Sequence, residues 1–266
     1  MSDLLPNIVP GAVLPILFTV FVWWFGTGVV YLLNQLPQRT FGWSMLGASA
    51  ALGLGFLGLL GTVQDTGPGG AYHGFLCAVL IWAWAEMGFL TGRVMGLNAR
   101  PLPAGTEGWA RLRAAVAAIL HHEIALLVLG AGVLLACWGQ PNQVGLWTFA
   151  LLYVARLSTK LNLFLGVRNL GDAMLPAHLG HLRSFFRVRR MNGFFPFSLA
   201  AFVLLTIWLV GRTIDAGSYE IAAHSMLATL AALAVLEHLF LVIPFRSETL
   251  WTWSRKSPVS RPVEAP

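Results

Sequence analysis

The chain has 266 residues, of which 57% are hydrophobic and 11% charged, with a formal net charge of +6 and a mean hydropathy of +0.71. A soluble globular chain carries about 25% charged residues, so this composition excludes an ordinary water-soluble domain. A membrane span needs about 20 mostly apolar residues, and the expected architecture is a single all-α polytopic bundle over residues 1–266.

The N-terminal stretch MSDLLPNIVP has no basic n-region and no A-x-A-like site, so the first apolar run is expected to be retained as a span. Apolar runs then end at charges, Pro/Gly turns or polar patches. They predict spans near 9–34, 41–62, 70–92, 112–137, 144–166, 193–211 and 219–245. Arg39 falls in the first linker, and Arg93, Arg100, Arg111 and Arg113 in or beside the third. Arg156, Lys160, Arg168, Arg183, Arg187, Arg189 and Arg190 lie at or in the fifth. Arg246, Arg255, Lys256 and Arg261 follow the last span. Only Arg212 breaks the alternation. The positive-inside rule puts the odd linkers and the C-terminus in the cytoplasm and the N-terminus outside. The expected partner is the lipid bilayer rather than nucleic acid.

In the second span Gly47, Ala51 and Gly55 recur every four residues, a spacing that lets helix backbones approach closely. Trp43, Trp109, Trp138, Trp147, Trp251 and Trp253 sit near span ends, as an interfacial belt would. Trp82 and Trp84 fall inside the third span. The two cysteines, Cys77 and Cys137, form no CxxC or CxxCH motif, which excludes a dithiol site and covalent haem attachment.

Ionisable residues inside spans usually face a bundle interior. The third span holds Glu86, the fourth His121, His122 and Glu123, and the seventh Glu237 and His238. His73 and His224 lie near the outer span ends. Counting from Arg93, Arg113 and Arg246 at about 1.5 Å per residue puts the inner groups at one level, roughly 10–13 Å below the basic boundary. Lys160 and Asn162 reach that level from the fifth span.

The linker over 167–192 carries an apolar stripe of Leu175, Leu179, Leu182 and Phe186, with Asp172 and Pro176 suited to a helix start. It reads as a surface amphipathic helix. His178 and His181, three residues apart, share one side of it, either as solvated surface groups or as a lid over the polar level. Imidazoles with carboxylates suit Fe, Zn or Mn, and bundles build di-iron sites from such residues. Histidine also ligates the central metal of haem or bacteriochlorophyll. Three readings of Glu86, His121, His122, Glu123, His178, His181, Glu237 and His238 stay open. They are a metal or tetrapyrrole site, hydrogen-bonded glue involving Lys160, and a proton pathway. Lys160, Asn162, Arg168 and Asn169 are the supporting polar groups.

The run TKLNLFLGVRNLGDAMLPAHLGHLRSFF, residues 159–186, resembles the signature region of the PuhE family, polytopic proteins of purple phototrophic bacteria. The similar pieces are KLN-x-FLGV (Lys160 to Val167), Asn169-Leu170, LP-x-HL (Leu175 to Leu179), L-x-SFFR (Leu182 to Arg187) and MN-x-FFP (Met191 to Pro196). The resemblance implies a role in photosynthetic complex assembly or bacteriochlorophyll supply, near genes for the reaction-centre H subunit. It implies reaction-centre or light-harvesting subunits and pigment-synthesis enzymes as partners, and it carries over no catalytic residue. Residue chemistry leaves two other classes: a di-iron oxidoreductase acting on a tetrapyrrole or another lipid-soluble substrate, and a proton-coupled transporter. No internal repeat supports the transporter.

Overall fold

The computed structural model describes residues 5–171, 175–243 and 247–254, with side chains described from residue 11 onward and not for 247–248. The helix start at Asp172 and the tail charges Arg246, Arg255, Lys256 and Arg261 lie outside the described residues. Each predicted apolar run is a helix. They are α1 Leu5–Asn34, α2 Phe41–Thr62, α3 Pro68–Leu90, α4 Gly108–Cys137, α5 Val144–Leu165, α6 Phe195–Gly211 and α7 Ser218–Phe240. Among the described residues, five helices are long and apolar enough to cross a membrane: Gly11–Asn34, Gln38–Thr62, Pro68–Leu90, Gly108–Cys137 and Ser218–Phe240. The protein is an all-α, multi-pass membrane bundle. Helix α6 is shorter at 17 residues, and α5 carries Arg156 and Lys160 in its inner half.

Local chemistry sets the helix ends. At the start of α3 the Asp65 carboxylate accepts from Gly67 N–H at 2.8 Å, and Pro68 occupies the first turn, where its missing N–H costs nothing. After Leu90 the chain turns at Gly92, φ +75°, a conformation a Cβ disfavours. Helix α6 also begins with a proline in its first turn.

Helices α3 and α7 form the middle of the bundle. One core joins α3, α6 and α7 around Ala71, Phe75, Phe202 and Met226. A second packs α2, α3, α4 and α5 around Leu59, Ile81, Leu126 and Phe149. The close approach of α2 to α3 uses Gly55 and Gly58. A Cβ on Gly55 would lie 2.9 Å from Ile81 and 3.0 Å from the Cys77 carbonyl, and one on Gly58 would lie 2.6 Å from Cys77 Sγ. Gly47, expected on that face, meets nothing within 4 Å, so the small-residue contact is shorter than the pattern implied. Both cysteines are buried free thiols.

Two polar clamps fasten the helices. Asn142 sits between α4 and α5 and is buried. Its amide donates to Thr62 O and Gly70 O at 3.0 and 2.9 Å, and its oxygen accepts from Tyr219 O–H at 3.1 Å. At the other, basic end, the Asn192 amide donates to Asn162 Oδ1 and Gly166 O, both at 3.0 Å, while its oxygen caps the start of α6 through Phe194 N–H and Phe195 N–H.

The linker between α5 and α6 differs from the expected amphipathic α-helix. Its helical part among the described residues is a 3-10 helix, Ala177–Phe185. Gly180 weakens α geometry, and a 3-10 helix repeats every three residues. The buried stripe is accordingly Leu179, Leu182 and Phe185, with Phe185 taking the place assigned to Phe186. On either side the linker doubles back, with Val167 N–H bonded to Arg187 O and Arg189 N–H to Val167 O.

Candidate functional site

The inner polar residues occupy one layer of the bundle. Helices α3 and α5 lie side by side: Trp82 meets Phe149 edge-on, Glu86 meets Arg156, and the Lys160 ammonium lies 5.7 Å from the Phe89 ring centre. Arg156 Nη2 donates to Glu86 Oε2 at 2.8 Å, with side-chain exposures of 35% and 14%. Lys160 Nζ donates to Glu123 Oε1 at 2.5 Å. Lys160 also senses Arg156 and Glu86, and Glu237 senses the same two groups. Three carboxylates and two cations thus share one neighbourhood. Arg156, read from sequence as a linker-side charge, is instead a member of the layer and the partner of Glu86.

Each histidine has a distinct environment. His121 is exposed and points away from its neighbour His122, which is completely buried; adjacent helical residues lie about 100° apart. The His238 ring is fully engaged. Its Nδ1 bonds the Ala234 carbonyl at 2.8 Å, so it carries the proton, and its Nε2 then accepts from Ser158 O–H at 2.8 Å. His122 is different. The Ala85 carbonyl lies within reach of its ring, but neither ring nitrogen completes a well-aligned hydrogen bond among the described residues, and the ring lies 4.7 Å from that of Phe89. Buried polar atoms normally have partners, so this ring has an unassigned donor or acceptor.

The backbone holds His122 in place. The loop after α3 inserts against α4. Leu97 N–H bonds the Ala117 carbonyl at 2.8 Å, and His122 N–H bonds the Met95 carbonyl at 2.9 Å, outside the usual helical ladder. Gly96 makes this approach possible, since a Cβ there would lie 2.3 Å from the Ala117 and Ala118 backbone.

Glu237 looks outward from α7 and accepts from Trp23 Nε1–H at 2.8 Å. Trp23 packs edge-on against Trp251, 5.4 Å between centroids. The 3-10 helix Ser247–Ser254 runs along α1, with Trp251 Nε1–H bonded to Trp24 O at 2.8 Å and Trp24 Nε1–H to Leu250 O at 2.9 Å. Trp253 stacks on Phe25 and fills the notch at Gly28, where a Cβ would lie 2.1 Å from its ring. These two tryptophans therefore belong to a packed aromatic seam, whereas Trp43, Trp109, Trp138 and Trp147 are exposed as a belt requires.

His178 and His181 lie apart from the layer, at the basic end of the bundle. His178 Nε2–H donates to the Leu90 carbonyl at 2.9 Å. Asn162 is buried in the Asn192 clamp, Asn169 caps α7 through the Phe240 carbonyl at 2.9 Å, and Arg168 is exposed.

The donors expected for a di-metal centre do not converge. Glu86 and Glu123 are taken by cations, the His238 nitrogens are both engaged, and His121, His178 and His181 point elsewhere. Among the described residues no three His, Cys, Asp or Glu side chains form a group able to hold a metal ion.

The model of a family described as proteins of unknown function, DUF3623, matches residues 10–261. The chain belongs to the DUF3623 family. A relative from Rhodobacter capsulatus, described as an uncharacterized 30.4 kDa protein in the puhA 5′ region, is 38% identical over 256 residues. The match covers 93% of this chain and 92% of the relative. No solved structure matches the chain.

Proposed function

We propose that this DUF3623 member is a membrane factor for photosynthetic complex assembly and bacteriochlorophyll supply. It resides in a bacterial inner membrane, with a periplasmic N-terminus and its basic end in the cytoplasm. The observation that carries this reading is the 38% identical relative in the puhA 5′ region, and the PuhE-like run over 159–186 points the same way. In this reading His122 would supply the nitrogen that holds the central metal of a tetrapyrrole, bacteriochlorophyll or a precursor. The tetrapyrrole would be cargo and would supply the pigment chemistry of the finished complex. The Glu86–Arg156 and Glu123–Lys160 pairs tie α3 and α4 to α5 beside His122. Exposed apolar residues on α2, such as Leu54 and Leu57, present a face for reaction-centre or light-harvesting subunits.

The test is an absorption spectrum of the chain, gently purified from the membranes of its phototrophic host. Expected are tetrapyrrole bands that are lost in His122→Ala and retained in His238→Ala. Absence of such bands from wild type, or their persistence in His122→Ala, removes the assigned donor. A di-iron oxidoreductase has no comparable support, because its donors do not meet.

A further inference from the structure

The basic end of the bundle holds a cavity that the polar layer does not use. It has a volume of about 410 Å³, within the range of small-ligand sites, and lies where the α1–α2 linker, the loop after α3 and the Ala177–Phe185 helix meet. Its polar lining includes Arg93, His178 and His181, and no carboxylate among the described residues lines it. Arg93 is exposed and makes no ion pair among the described residues. The 3-10 repeat stacks His178 over His181 on one side. His181 Nε2 is buried and has no partner among the described residues. The apolar wall is Phe41, Met95 and Leu179, each less than 9% exposed. Gly92, at φ +75°, forms part of the rim beside the His178 ring.

We propose that this cavity binds the phosphate group of an anionic membrane-lipid headgroup. Three features meet the chemistry. Arg93 offers a forked guanidinium to phosphate oxygens. The imidazoles add N–H donors when protonated. The apolar wall suits the glycerol and first methylenes of a lipid better than a free ion. The site stands apart from His122 and does not depend on the pigment reading.

Protons and the headgroup bind together. The His178 backbone lies within hydrogen-bonding reach of the His181 ring, and burial holds His181 below the ordinary histidine value. The titratable and charged groups facing it are His178, on its own helix, and Arg93, on the loop after α3. A phosphate beside His181 favours the imidazolium, so affinity rises as pH falls through the histidine range.

The experiment uses the full chain in a zwitterionic detergent. Its melting temperature is read with phosphatidylglycerol, with phosphatidylcholine and with inorganic phosphate. Phosphatidylglycerol is expected to raise the midpoint by about 4 °C or more at saturation, with a larger shift near about pH 6 than near about pH 8. Arg93→Gln should remove the shift, measured against its own ligand-free midpoint. The His178→Ala, His181→Ala double variant should lose the pH dependence. An equal shift from inorganic phosphate alone overturns the lipid source and keeps a phosphate site for a soluble ligand. An equal shift from phosphatidylcholine, or a full shift in Arg93→Gln, overturns the site.

Discussion

Arg156→Met isolates what the polar layer contributes to stability. The change strands Glu86, whose side chain is 14% exposed, with no cation within contact. Removing one partner of a buried ion pair costs about 3–5 kcal/mol. This pair is a single contact, since Glu86 Oε1 and Arg156 Nε have no hydrogen-bond partner among the described residues, and Arg156 is 35% exposed. Both features put the loss at the low end, about 3 kcal/mol. The double variant Glu86→Gln, Arg156→Met leaves only a neutral amide, at a cost of about 1 kcal/mol. A chain of this size loses about 2–4 °C per kcal/mol. Thermal unfolding in detergent, followed by tryptophan fluorescence, should therefore show a drop of about 6–12 °C for the single variant and about 2–4 °C for the double. A double variant no more stable than the single would refute the pairing argument.

Other outcomes follow from the same geometry. Gly28→Val should push Trp253 off α1, seen as a red shift in tryptophan emission and faster proteolysis after Ser254; adding Trp253→Ala should relieve the clash. Gly96→Val should drive a side chain into the α4 backbone and cost about 3 kcal/mol or more, whereas Gly47→Ala, with open space around it, should change stability by less than about 0.5 kcal/mol. Asn192→Leu should leave the α5 and α6 ends unsatisfied and cost about 1–3 kcal/mol, read by the same melting assay. The pH response of the 3-10 helix is also determined. Burial lowers His181, so the unfolded state binds the proton more readily. Stability from this group is full above the unfolded value of about 6.5 and falls as pH drops below it. Amide exchange over Leu179–Phe185 should accelerate below that pH in lipid-free protein, beyond the intrinsic change in exchange chemistry, and His181→Gln should flatten the response.

The helices were legible because long apolar runs have few alternatives. The match from 41–62 to Phe41–Thr62, for example, needed only the flanking Thr40 and the polar QDT that follows. The polar positions Glu86, His122 and Glu237 were legible too, because ionisable groups inside apolar runs stand out. Their partners were not. Arg156 read as a boundary charge, and only the side-by-side register of α3 and α5 shows it against Glu86. Trp251 and Trp253 fit an interfacial belt by position; the notch at Gly28 that seats Trp253 is a tertiary feature. Asn142 and Asn192 looked like linker residues, yet each fastens several helix ends. Period alone could not choose α over 3-10 geometry for Ala177–Phe185, since Leu179 and Leu182 satisfy both and only Phe185 decides.

The most direct test is pigment and reaction-centre content in a phototrophic host lacking this chain. Near-infrared absorbance of its membranes would be compared with strains restored by wild type and by His122→Ala. The account predicts depleted reaction centre and bacteriochlorophyll, recovery with wild type, and no recovery with a stably inserted His122→Ala protein. Unchanged pigment and reaction-centre levels in the deletion strain would contradict it.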